Sequence, residues 1–322
     1  MPRPLRPHLL KPPAEDSLTR WLHRTLPEEL QLRMREEGFT KSLLNGLGAV
    51  GAAMLLVYQP SLLSTYNQIQ QQSTEIKYGF HSAETLYQSK ISYHPDRSDS
   101  NMCLFFVHGG AWGSGDPWMY AICAYNLAKA LDCDFCFNIR YPLYPDANIL
   151  EQKESVSRAI SFLRNLYPRH EFIVAGHSSG ANLCALSMLD NHYHVSTLLL
   201  FNGVYDIHKH YLWEASRGIL HALLFTAKLL NLSPPGVHLI SPMGGAASVS
   251  FDYCSPTLIA SRKTASLFCF PSTILVHHAD DNTVPFTSSK EFAEELTKKK
   301  ARVYAFYPQV YDLIPLRHFY TW

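Results

Sequence analysis

From residue 76 onward, apolar runs and amphipathic stretches alternate along the chain. "MCLFFVH" (102–108) has no polar break until its end, as expected of a strand buried on both faces. "MYAICAYNLAKAL" then reads as a helix and "DFCFNIRY" as a second strand. In "EQKESVSRAISFLRNLY", Val156, Ile160 and Leu163 share one side at helical spacing. "EFIVAG" predicts a strand, "ANLCALSMLD" a helix, and "STLLLFNG", "STILVHH" and "ARVYAFYP" three more strands. Ahead of them, "KYGFHSAETLYQSKISYHP" holds two short β-like stretches around a polar middle, which predicts an opening antiparallel hairpin. Strands that alternate with helices imply an α/β fold, a mostly parallel sheet with helices on both faces. Active groups in such sheets collect at the carboxyl ends of the strands.

The N-terminal part is patterned differently. Residues 1–41 are rich in Arg, Glu and Pro and read as a polar, helical segment; from Ser42 to Thr74 there is no Lys, Arg, Asp or Glu. The core of that stretch, "LLNGLGAVGAAMLLVY" (43–58), approaches the ~20 apolar residues a spanning helix needs, but Pro60 follows closely. Residues 42–75 are therefore read as a membrane anchor or interfacial segment, with a buried or domain-covering helix as the alternative. This puts the expected location at a membrane, endoplasmic reticulum or Golgi, and otherwise in the cytoplasm. The α/β domain would occupy 76–322.

Composition changes the picture little. With 47% hydrophobic and 17% charged residues and a formal net charge of +1, nothing in the charge balance calls for a nucleic-acid partner. The seven cysteines are scattered; Cys133 and Cys136 form a lone "CDFC" without a second pair, and buried thiols fit better than a metal or redox role.

Chemistry enters at "VAGHSSGANLC" (174–184). Gly176-His177-Ser178-Ser179-Gly180 fits G-x-S-x-G between a predicted strand and a predicted helix. In that setting the glycines let strand and helix approach, and the central serine is held at a strained bend with its hydroxyl exposed. A serine nucleophile needs a base, an orienting carboxylate and donors for the oxyanion. "FFVHGGAWGSGD" supplies donors: the N–H groups of Gly109 and Gly110, with that of Ser179, are the expected oxyanion hole, and His108 is read as organising the loop. "ILVHHADDNTVPF" ends a predicted strand and offers two acids, Asp280 and Asp281; a resemblance to hydrolases whose acid precedes a "VP" segment implies Asp281 as the carboxylate, with Asp280 second. After Asp281 the only histidine is His318, which takes the base by elimination. No metal or organic cofactor is called for.

At these motifs the chain resembles the α/β-hydrolase superfamily, in its HGG-type esterase branch, over roughly residues 80–320. "HGGAWGSGD", "NIRYPLYP", "GHSSGANL", "VYDIHKHYLWEASRG", "ISPM" and "DDNTVPF" are most similar to isoprenylcysteine methylesterase-like and kynurenine formamidase-like proteins. The resemblance implies the α/β-hydrolase fold, the chain order serine, acid, histidine, and an acid just before a "VP" segment. Relatives usually carry the histidine as His-x-Asp before a final helix; here "PQVYDLIPLRHFYTW" has neither, so His318 either folds back to the serine or ends an atypical chain.

An insertion at about 205–265, with the apolar middle "ILHALLFTAKLLNL", is expected to cover the site or to pack against the N-terminal segment. Trp112, Trp118, Tyr205, Tyr211 and Trp213 are expected to rim it; Trp112, Tyr205 and Trp213 are the substrate-binding candidates. Such a lining suits an ester with a large apolar portion, and the resemblance implies a prenylcysteine methyl ester. The expected activity is serine carboxylesterase, on a small-molecule or lipid-like ester. The alternatives are an arylformamidase, which cleaves an N-formyl amide, and a non-catalytic binding protein on the same fold.

Overall fold

The computed structural model describes residues 60–91, 101–144, 146–190, 195–216 and 251–309. The polar segment 1–41, the apolar run 43–58, the middle of the insertion and His318 lie outside the described residues. Helix α1 (Pro60–Gln72) leads into strands β1 (Ser73–Lys77), β2 (Thr85–Lys90) and β3 (Met102–Val107). A 3-10 turn (Pro117–Tyr120) precedes α2 (Ala121–Ala130), β4 (Phe135–Ile139) and α3 (Ile149–Leu166). Then come β5 (Glu171–His177), α4 (Ser179–Asp190), β6 (Thr197–Phe201) and α5 (Ile207–Ser216). Beyond the insertion lie α6 (Pro256–Arg262), β7 (Ser272–Val276), α7 (Thr287–Lys298) and β8 (Val303–Phe306).

The eight strands form one sheet in the order β1-β2-β4-β3-β5-β6-β7-β8. The β1–β2 and β2–β4 pairs are antiparallel and every later pair is parallel. The opening hairpin is present, but its first strand is Ser73–Lys77 and ends where the expected one begins. Residues 73–75 therefore belong to the sheet and not to the apolar segment before it. Helix α1 packs on α2 and β2 and buries Ile69. Among the described residues no helix is long and apolar enough to cross a membrane.

Apolar strands are covered on both sides because successive side chains point to opposite faces. On β3, Cys103, Phe105 and Val107 join the larger core under α3, α4, α6 and α7. Leu104 and Phe106 join the smaller core with Ala124 and Ala128 of α2. Helix α3 opens on a capping box: the Asn148 side chain accepts from the Leu150 and Glu151 amides at 3.0 and 3.1 Å, and Glu151 accepts from the Asn148 amide at 2.8 Å. Cys133 and Cys136 are buried, and burial pushes the Cys136 thiol up. The central parallel strands end together, and the motif residues sit at those ends.

Candidate active site

Strand β5 ends at His177 and α4 begins at Ser179, so Ser178 alone makes the bend, with φ of 54°. That left-handed backbone costs a non-glycine residue about 1–2 kcal/mol, so the surrounding structure must hold it. The Ser178 amide donates to the Phe201 carbonyl at 2.9 Å, and the Ser178 carbonyl accepts from the Asn182 amide at 3.2 Å. The two motif glycines are steric necessities. A Cβ on Gly176 would stand 2.7 Å from the Gly180 carbonyl oxygen, and one on Gly180 would overlap the Val107 and His108 carbonyls. The twelve-residue α4 starts at the next residue and turns its N-terminal amides and positive dipole end toward the space above the serine.

The HGG turn leaves β3 beside this bend. A Cβ on Gly109 would lie 2.9 Å from the His177 carbonyl oxygen and 3.0 Å from the Ser178 Cβ, so the backbone of residue 109 touches the elbow directly. Gly110 has φ of 134°, and its carbonyl accepts from the Ser114 amide and hydroxyl at 2.9 and 2.8 Å. His108 is buried; its Nδ1–H donates to the Gly109 carbonyl at 2.8 Å and its ring stacks on Tyr141 at 4.4 Å. The Tyr141 hydroxyl donates back to the His108 carbonyl at 2.9 Å. Burial lowers the His108 pKa to about 4, so the ring is neutral and shapes the loop.

The two acid candidates separate clearly. Asp280 is exposed. Asp281 has a side chain 14% exposed, and its Oδ1 accepts from the Thr283 and Val284 amides at 2.7 and 3.0 Å. Its Oδ2 accepts from the Asn202 side-chain amide. Asn202 directly follows Phe201, whose carbonyl holds the Ser178 amide, so the tip of β6 joins the serine bend to the carboxylate loop. Asp281 also counteracts the fall in pKa that burial imposes on His177. The structure thus brings Ser178, the Gly109–Gly110 turn and Asp281 to one end of the sheet.

The family model for the α/β hydrolase fold matches residues 104–304, more than half of the chain. This chain belongs to the α/β-hydrolase-fold family. A kynurenine formamidase from Aspergillus versicolor is 25% identical over 265 residues, which cover 70% of this α/β hydrolase and 87% of that protein. Among solved structures, esterase B from Lactobacillus rhamnosis aligns with a TM-score of 0.56 at 16% identity, covering 80% of this chain and 86% of its own. Carboxyl esterase 2 from Tuber melanosporum aligns with a TM-score of 0.55 at 16% identity, covering 74% and 75%. At such identities the structural likeness concerns the fold.

Not every expected site residue of the α/β hydrolase meets the site. Trp112 and Tyr205 are buried in the core, where Tyr205 stacks on Phe292 at 4.4 Å. Their aromatic bulk is used to seat the HGG loop and the β6–α5 connection on the helices beneath. Trp213 is half-buried on α5. Two contributors escaped sequence reading. Asn202 holds the carboxylate. His277, wholly buried, donates from Nε2 to the Val284 carbonyl at 2.9 Å and accepts at Nδ1 from the Ser289 hydroxyl at 2.6 Å. His277 Nε2 also stands 3.7 Å from Asp281 Oδ2, so this imidazole ties the acid loop to α7. Both residues sit at strand ends, which was their only sequence signal.

The buried imidazoles predict acid sensitivity. The His108 and His177 pKa values are lowered from 6.5 to about 4 by burial, so the unfolded chain takes up protons first as the pH falls. Stability therefore declines from pH 6.5 down to about 4, by about 3 kcal/mol for the fully buried His108. Urea unfolding at pH 7 and pH 4.5 measures the slope, and a His108→Gln variant should reduce it, leaving the His177 contribution.

Proposed function

We propose that this α/β hydrolase is a serine hydrolase of carboxylic esters. The observation that carries the reading is Ser178, held at positive φ between the Gly109 turn and the first turn of α4. Its hydroxyl attacks the ester carbonyl, and the amides of Gly109, Gly110 and Ser179 receive the developing oxyanion. His318 takes the serine proton and returns it to the leaving alcohol, while Asp281 orients the imidazole; water then releases the acyl group. The chain leaving β8 favours this base, because the Pro308 carbonyl accepts from the Ala279 amide at 3.0 Å, beside the acid loop. From there to residue 318 the backbone can span up to ~33 Å, ample for a return to the serine.

The favoured substrate is an ester with a large apolar portion, a prenylcysteine methyl ester being one member of that class. The similarity to a kynurenine formamidase favours a second reading, the same machinery acting on an N-formyl amide of an aromatic amine. A side-by-side assay decides: p-nitrophenyl butyrate, a prenylcysteine methyl ester and N-formylkynurenine, each with the full-length chain. The ester reading requires kcat/KM for an ester at least tenfold above that for the formamide. The reverse order assigns the formamidase activity. Failure to label with a fluorophosphonate probe would refute both in favour of a non-catalytic binding protein.

A further inference from the structure

We propose that Tyr120 is a positioning residue for the nucleophile and acts through His177; the proposal rests on the serine-hydrolase reading above. Tyr120 closes the 3-10 turn Pro117–Tyr120, which follows the HGG loop and is gripped from both sides. On its outer side the Trp118 ring lies 4.5 Å from Tyr87 of β2 and 6.1 Å from Tyr66 of α1, centroid to centroid. Asp116 caps the turn, accepting from the Trp118 amide at 2.9 Å and from the Arg140 guanidinium at 2.8 Å. Arg140 in turn lies 5.2 Å over the Tyr87 ring. Tyr66 and Tyr87 precede residue 104, so a segment upstream of the family-matched region steadies the outer side of the turn.

On its inner side, the Tyr120 hydroxyl lies 3.0 Å from His177 Nδ1, with the ring against Phe106 at 5.6 Å. His177 immediately precedes Ser178, and its carbonyl oxygen and Nδ1 would stand 2.9 and 3.1 Å from a Cβ on Gly109. The phenol–imidazole bond thus sits at the seam between the oxyanion loop and the serine bend. Burial pushes the Tyr120 hydroxyl up to about 12 and draws His177 down to about 4. Between those limits both groups are neutral, so the 3.0 Å contact joins an uncharged phenol and an uncharged imidazole. Asp281 and His277 are the charged and titratable groups that act on His177 from the acid loop and the end of β7. One bond of fixed length across this seam sets the distance between nucleophile and oxyanion donors, where small displacements are costly to rate.

The test is a double-mutant cycle with Tyr120→Phe and His177→Gln in the full-length chain. Turnover of p-nitrophenyl butyrate is read where circular dichroism shows every variant folded. Tyr120→Phe should lower kcat at least about tenfold with KM within about twofold. His177→Gln should do the same, and the double variant should be no slower than the worse single. A Tyr120→Phe enzyme with wild-type kcat overturns the proposal, and so do losses that multiply in the double variant. A wild-type chain that neither turns over nor takes up a fluorophosphonate probe overturns the serine-hydrolase reading, and this proposal with it. An active wild type with an equally active Tyr120→Phe overturns this proposal alone.

Discussion

Ser178→Ala is expected to lower kcat for ester hydrolysis by about 10⁴- to 10⁶-fold and to remove fluorophosphonate labelling. The size of the effect follows from the proposed role: there the hydroxyl forms the covalent bond, and the amides that remain would give only residual rate. Folding should be unaffected, because alanine carries the same Cβ into the same backbone at φ of 54°. Ser178→Gly separates the two properties further. It is equally inactive, yet it relieves the left-handed strain and should raise stability by about 1 kcal/mol, read as an increase in the urea midpoint. A Ser178→Ala protein that still turned over esters would remove the nucleophile from this site.

Asp281→Asn is expected to lower kcat by about 10⁴-fold, while Asp280→Asn should stay within about twofold of wild type. The difference comes from surroundings, since the two residues are neighbours of one type. Asp281 takes two backbone amides on one oxygen and the Asn202 amide on the other, whereas Asp280 is exposed. An asparagine at 281 keeps its oxygen on the backbone amides and turns an NH₂ toward the NH₂ of Asn202. Two donors then face each other, and the charge that would steady a protonated imidazole is gone. That clash should also cost stability, about 1–3 kcal/mol, as expected for a partly buried donor left without an acceptor. Steady-state kinetics and thermal unfolding of both variants check the assignment; full activity in Asp281→Asn would move the carboxylate role elsewhere.

The two variants also show how the site is assembled. Ser178 and Asp281 are far apart in sequence, yet one strand tip serves both: Phe201 holds the serine amide and Asn202 holds the carboxylate. A parallel sheet brings the tips of successive strands together, so a single two-residue step at the end of β6 can register two loops. This is a rigid device, because the strand is paired on both sides by β5 and β7.

Much of this was legible in the residue order, for a physical reason. Strand periodicity, the run of apolar residues in β3 and the helical spacing in α3 are local properties, and they determine an α/β layering before any contact is known. The glycines at 109, 176 and 180 are also readable, because close backbone approach excludes a side chain whatever surrounds it. Tertiary structure alone decided the rest. It gave Asp281, which the residue order had already ranked ahead of Asp280, a partner in Asn202 at the tip of a strand distant in sequence. It sent Trp112 and Tyr205 into the core, since an aromatic residue's composition signal does not say which face of its loop will be covered. It also recruited Asn202, His277 and the Tyr120–His177 pair, whose value lies in hydrogen bonds between segments that no local pattern connects.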